Sequence, residues 1–146
     1  MKYTKKIQKA LNVCAEKHLG QSRRGVKRPY VIHPYSVAII LSEYTSDEDI
    51  VSAALLHDVL EDVVGYTYAD IERDFGSRVA SLVFQVSEDK RPELRFRDKE
   101  TWKARKLSYL ESIKNAHEDA LMICAADKMH NMQSMMDDYA VCGDEM

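Results

Sequence analysis

Proline and glycine are scarce in this chain of 146 residues: three Pro and five Gly leave few places for the turns that a many-stranded sheet requires. Cysteine is equally sparse. Cys14, Cys124 and Cys142 are scattered and share no ligand spacing, which argues against a disulfide framework or a structural zinc site and fits a reducing cytoplasm. No stretch approaches the ~18 consecutive apolar residues that span a bilayer, and no apolar run follows the Met-Lys-Tyr-Thr-Lys-Lys start, so neither a membrane segment nor a signal peptide is expected. A charge excess is missing too. The 21 basic and 24 acidic residues give a net charge of −3, too little to recruit nucleic acid or an anionic membrane. What remains is 45% apolar and 31% charged, the composition of a soluble globular protein. A single domain over 1–146 is expected.

Helical periodicity fills most of that length. Ile7, Ala10, Leu11, Cys14 and Ala15 form one stripe over residues 4–19, which Gly20 ends. A basic loop (21–29) leads to a helix with Pro34 in its first turn and Val37, Ile40 and Leu41 inward, running to about Tyr44. Ser46 and Asp49 resemble a capping box opening a long helix that Gly65 breaks. Thr67 caps a short helix (68–75) stopped by Gly76, and Ser77 caps the next (78–86). The front of the charge-dense segment 88–106 reads as a loop. Trp102 through Ile113 reads as a helix burying Leu107, Leu110 and Ile113, and a last helix covers about 118–139. Some seven helices and no convincing sheet predict an all-α bundle.

Residues 53–64, Ala-Ala-Leu-Leu-His-Asp-Val-Leu-Glu-Asp-Val-Val, stand out. On a helix His57 lies near Glu61 and Asp58 near Asp62, so four polar groups share one wall of an apolar segment. Three carboxylates there repel one another and resist desolvation unless a cation neutralises them. The competing reading is an acidic patch on an ordinary amphipathic helix. Three further signals accompany this stretch: His33 beside Pro34, Asp127 at the end of an apolar run, and Asn131 one turn after it. Two imidazoles and two carboxylates suit a divalent ion such as Mn²⁺, Fe²⁺ or Zn²⁺.

The order His33, His57-Asp58, Asp127 resembles the HD-domain metal phosphohydrolase superfamily, and most of all the alarmone (ppGpp) hydrolase domains of RelA/SpoT-type enzymes and their small stand-alone relatives. The resemblance is carried by Arg24, by Pro29-Tyr30-Val31-Ile32-His33-Pro34 with Val37 to Leu41, and by Ala53 through Asp62. It continues in Phe75-Gly76 with Val79-Ala80 and Leu82-Val83, and in Ala126-Asp127-Lys128-Met129-His130-Asn131-Met132. It implies an HD-domain helical bundle in which His33, His57, Asp58 and Asp127 hold one Mn²⁺ (alternatively Fe²⁺, Zn²⁺ or Mg²⁺). It also implies that Glu61 and Asp62 orient and deprotonate the attacking water. Arg24 matches a position packed against guanine, and Asn131 a ribose contact that Ser134 can extend. Lys27, Arg28, Lys90, Arg91, Arg95 and Arg97 are basic candidates for the substrate phosphates. The implied activity is hydrolysis of the 3′-diphosphate of ppGpp or pppGpp to GDP or GTP and pyrophosphate, in the cytoplasm.

The chain departs from the family pattern in the bulkier, more basic Gly25-Val26-Lys27-Arg28 and in Val63-Val64, where Thr is frequent. Relatives usually continue with more helix beyond the position of Met146, so either a C-terminally truncated domain or cover from a partner subunit in a homo-oligomer is expected. Two rival functions fit the same pattern: an HD phosphohydrolase of another nucleotide, such as a 5′-nucleotidase, and a non-catalytic nucleotide-binding HD scaffold. Among the remaining residues, His130 reads as packing or surface, His18 and His117 as helix-end residues, and Trp102 and the methionines as core.

Overall fold

The computed structural model describes residues 2–23, 26–88 and 98–143, and only the backbone of 98–101. Eight helices lie in those segments: α1 (Lys5–Lys17), α2 (Ile32–Ser42), α3 (Glu48–Leu56), α4 (Val59–Asp62), α5 (Tyr68–Phe75), α6 (Ser77–Val86), α7 (Asp98–Lys114) and α8 (Glu118–Cys142). Among the described residues, extended pairing is limited to one antiparallel bridge between Ser22 and Pro29. The expected all-α bundle is what forms.

α3 is the centre of the bundle. Seven consecutive side chains, Ile50 through Leu56, are buried, as they must be in a helix apolar on all sides. It packs against α1, α2, α6 and α8, and α8 also lies along α2 and α6. Each Leu, Ile or Val removed from water here contributes about 1.5–3 kcal/mol, which holds four helices against one axis. Ile7 and Ala10 of α1, Val37 and Leu41 of α2, Val79 and Val83 of α6, and Ile123 of α8 complete the core.

Local signals explain most of the boundaries. Thr67 and Asp70 form a reciprocal capping box at the start of α5. Gly76, at φ +95°, ends α5 and opens α6, so Ser77 is the first helical residue and not the cap. The cap of α3 is Asp47, which accepts from the Asp49 N–H at 2.9 Å, and not Ser46. The Asp49 carboxylate instead meets Lys6 at 2.5 Å, tying α3 to α1.

Three expectations are corrected. The long helix through 46–64 divides at His57-Asp58, where Asp58 turns to φ −93°, ψ −6°, so the bundle has one more helix than periodicity suggests. Leu107, Leu110 and Trp102 are 55–58% exposed; among the described residues α7 meets the bundle through a narrow contact with α6, through Arg105 and Lys106 on Glu88, and through Tyr109 beside Cys124 of α8. Met129, Met132, Met135 and Met136 are also at least half exposed, since α8 turns its apolar back away from the core in its second half. No helix among the described residues is long and apolar enough to cross a membrane.

Candidate metal centre

Three elements deliver the polar cluster. The first turn of α2 carries His33, the turn between α3 and α4 carries His57 and Asp58, and the middle of α8 carries Asp127. Burial of Val37 and Leu41, Leu55 and Leu56, and Ile123 and Ala126 fixes these segments, so the polar groups converge as a by-product of core packing. The ligand atoms of His33, His57 and Asp58 all lie within 4.8 Å of one another. Asp127 stands at the edge of that set, its Oδ1 3.2 Å from His33 Nε2 and 3.9 Å from His57 Nε2. Asp58 Oδ2 is 3.0 Å from His57 Nε2 and 3.5 Å from His33 Nε2.

The break in the helix is what aims this group. His57 Nδ1 bonds the Ala54 carbonyl at 2.7 Å, directing Nε2 toward the carboxylates. That Nε2 is buried and, although near Asp58, makes no hydrogen bond of acceptable geometry. A buried ring nitrogen without a partner is costly, and its position facing two carboxylates is where a cation would take the lone pair. Two imidazoles and two carboxylates form a mixed donor set suited to a divalent transition metal. The residues therefore fit the ion that the pattern implies.

Electrostatics follow from that crowding. Burial pushes the His57 pKa down, but the adjacent Asp58 and Asp127 charges outweigh it and raise it to about 9. Burial favours protonated carboxyls at Asp58 and Asp127. At Asp58 the His57 charge wins and holds the carboxyl well below the usual carboxylate range, while at Asp127 the hydrogen bond from His33, with the His57 and Lys128 charges, holds it at about 2. His33 shifts the other way: burial, with His57 nearby, keeps it below its ordinary value.

A surrounding layer orients these groups. Tyr30 Oη donates to Asp58 Oδ2 at 2.6 Å and lies 3.3 Å from Asp62 Oδ2, linking the turn to the acidic pair. Glu61 Oε1 accepts from the Glu88 N–H at 2.5 Å. The helix break thus sends Glu61 and Asp62 to different partners, where one unbroken wall was expected. Asn131 Nδ2 donates to Asp127 Oδ1 at 2.6 Å, and Asn131 Oδ1 accepts from Arg23 Nη2 at 3.0 Å. Lys128 Nζ reaches Asp127 Oδ2 at 2.6 Å.

Beside His33 opens a cavity of about 220 Å³ bordered by Arg23, Arg28 and Ser134. Lys27 is exposed and Arg28 partly buried, while Arg24, Lys90, Arg91, Arg95 and Arg97 lie outside the residues whose side chains are described. The sequence pattern gave no role to Tyr30 or Arg23 and read His130 as packing or surface. His130 is half-buried and its Nδ1 sits 2.8 Å from His33 Nδ1. Its spacing of three from Asp127 was the available signal, since residues at i and i+3 are helix neighbours.

Residues 10–142 match the family model described as HD domain. The chain is 39% identical over 131 residues to the bifunctional (p)ppGpp synthase/hydrolase SpoT of Escherichia coli (strain K12), covering 90% of this chain but 18% of that protein. It is 35% identical over 133 residues to the guanosine-3′,5′-bis(diphosphate) 3′-pyrophosphohydrolase MESH1 of Xenopus tropicalis, covering 88% of this chain and 69% of the relative. A solved structure described as a metazoan ortholog of SpoT that hydrolyses ppGpp superposes with a TM-score of 0.79 at 32% identity, over 93% of this chain and 73% of that one. With a helical bundle, a paired His-Asp turn and a mixed His/Asp donor set already in place, the chain belongs to the HD-domain family and is homologous to the SpoT and MESH1 hydrolases.

Proposed function

We propose that this chain is a Mn²⁺-dependent hydrolase of the 3′-diphosphate of guanosine tetra- and pentaphosphate, producing GDP or GTP and pyrophosphate. The observation that carries the proposal is the convergence of His33, His57, Asp58 and Asp127 beside the Glu61-Asp62 pair, in a chain similar over most of its length to MESH1. His33 Nε2, His57 Nε2 and the Asp58 and Asp127 carboxylates would hold the ion. When bound, it supplies Lewis-acid chemistry that acidifies water and offsets phosphoryl charge.

The protein groups do the rest. Glu61 and Asp62 are carboxylates able to orient a water and take its proton, with Glu61 steadied by the Glu88 N–H and Asp62 by Tyr30. The water oxygen bonds to the inner phosphorus of the 3′-diphosphate, the bond from that phosphorus to the 3′ oxygen breaks, and a proton ends on the 3′ oxygen. Asn131, already bonded to Asp127 and Arg23, would hold the ribose, and Ser134 lines the cavity one turn further. The base-packing role implied for Arg24 falls outside the described residues, while the guanidinium of its neighbour Arg23 reaches Asn131. Free Cys14, Cys124 and Cys142 support a reducing, cytoplasmic setting.

The test is to incubate Mn²⁺-loaded protein with ppGpp and separate the products by ion exchange and ³¹P NMR. Equimolar GDP and pyrophosphate are expected. Orthophosphate without pyrophosphate points to a phosphatase of another kind, and metal-loaded protein without turnover points to a binding scaffold.

A further inference from the structure

Asp138 lies eleven residues beyond Asp127 on α8. At about 100° per residue the two differ by only about 20° around the helix, with Asn131 and Ser134 on the same face between them. A rise of about 1.5 Å per residue sets them about 16 Å apart, a span comparable to an extended nucleoside carrying a 3′-diphosphate. His33 and Asp138 both line the same cavity.

The Asp138 carboxylate is unusual. Asp138 is 9% exposed, and its buried Oδ1 has no hydrogen-bond donor. Arg28 Nη2 stands 3.7 Å from Oδ1, close enough to balance the charge but too far for a hydrogen bond, and the Arg28 side chain is 43% exposed. Buried carboxylates normally collect several donors. One left without them in the lining of a cavity is suited to a ligand bearing paired N–H groups.

We propose that Asp138 reads the Watson–Crick edge of a guanine base, its carboxylate accepting from N1–H and the N2 amino group. Arg28 then moves from the carboxylate onto the face of the ring, a position its planar guanidinium favours. Guanine presents two adjacent donors along that edge. Hypoxanthine keeps the N1–H and lacks the amino group, and xanthine replaces the amino group with a carbonyl that repels a carboxylate. This inference rests on the hydrolase reading for the placement of the 3′-diphosphate and extends it from the phosphates to the base.

The test is calorimetric binding of GDP, IDP and XDP to the Mn²⁺-loaded protein and to Asp138→Asn. The unmodified protein should bind GDP roughly 10- to 100-fold more tightly than IDP, the effect of one hydrogen bond to a charged group, and should bind XDP most weakly. In Asp138→Asn the side-chain amide can donate to the xanthine carbonyl while its oxygen still accepts from N1–H, so the GDP/XDP preference should reverse. Ratios within one preparation do not depend on the folded fraction. A GDP/XDP ratio unchanged by the substitution overturns the assignment of Asp138. ppGpp hydrolysis is measured separately: intact base preference without pyrophosphate release removes the hydrolase reading and leaves the base contact standing.

Discussion

Metal binding to this site should expel about one proton. In the metal-free protein His57 carries a proton near neutrality, because Asp58 and Asp127 raise its pKa to about 9 against the opposing effect of burial. The other three groups are already in their ligating states: His33 is neutral, and Asp58 and Asp127 are ionised. A cation that takes the His57 Nε2 lone pair must displace that proton. Apparent affinity should therefore fall about tenfold per pH unit below pH 9. At pH 7 it should be roughly 100-fold weaker than its alkaline limit. Calorimetric Mn²⁺ titrations at pH 6.5, 7.5 and 8.5, each in two buffers of different ionisation enthalpy, read both the slope and the protons released. No proton release and a flat affinity across that range would refute the assignment of His57 as a protonated ligand in the apo site.

The same charges set how the metal-free fold responds to pH. His57, raised to about 9, contributes stability that is complete below its unfolded value of about 6.5 and is lost as pH climbs through 9; Asp127, lowered to about 2, contributes about 2–3 kcal/mol above pH 4 that disappears as pH falls toward 2. Through these two groups, urea resistance of the apo protein should fall from pH 6.5 to 9 and again from pH 4 toward 2, and a midpoint that rises from pH 6.5 to 9 contradicts this. Glu61→Gln should keep its Mn²⁺ yet lose about 10²- to 10⁴-fold in kcat on ppGpp, and normal turnover in that variant removes Glu61 from the reaction. Leu56→Ala, which empties a fully buried position beside the metal turn, should cost about 2–5 kcal/mol in urea unfolding; a loss below 1 kcal/mol would mean that the α3 core is loosely packed.

Much of the site was legible because its residues fall at spacings that a helix makes meaningful. His33 next to Pro34, the His57-Asp58 pair, and Asp127 with Asn131 one turn later converge as their order suggests. The capping box at Thr67 and the helix stop at Gly76 were equally readable, since each depends on nearby residues alone. Periodicity could not show the break at Asp58. That turn is set by tertiary partners, Tyr30 on the carboxylate and Ser87 on the His57 carbonyl, which come from distant parts of the chain. Nor could it show that Leu107, Leu110 and Trp102 stay exposed, because a helical stripe says which residues share a face and not what covers it. Asp138 was readable in principle from its place on the Asp127 face, but two adjacent acids near the end of a polar helix look like solvated charge until burial is known.

The account depends most on four side chains sharing one ion. Crystals grown with Mn²⁺ and measured at the manganese absorption edge test this directly. A single anomalous peak is predicted, within coordination distance of His33 Nε2, His57 Nε2 and an oxygen each of Asp58 and Asp127. A peak bound elsewhere, or full Mn²⁺ occupancy retained in Asp58→Ala and Asp127→Ala, would contradict it.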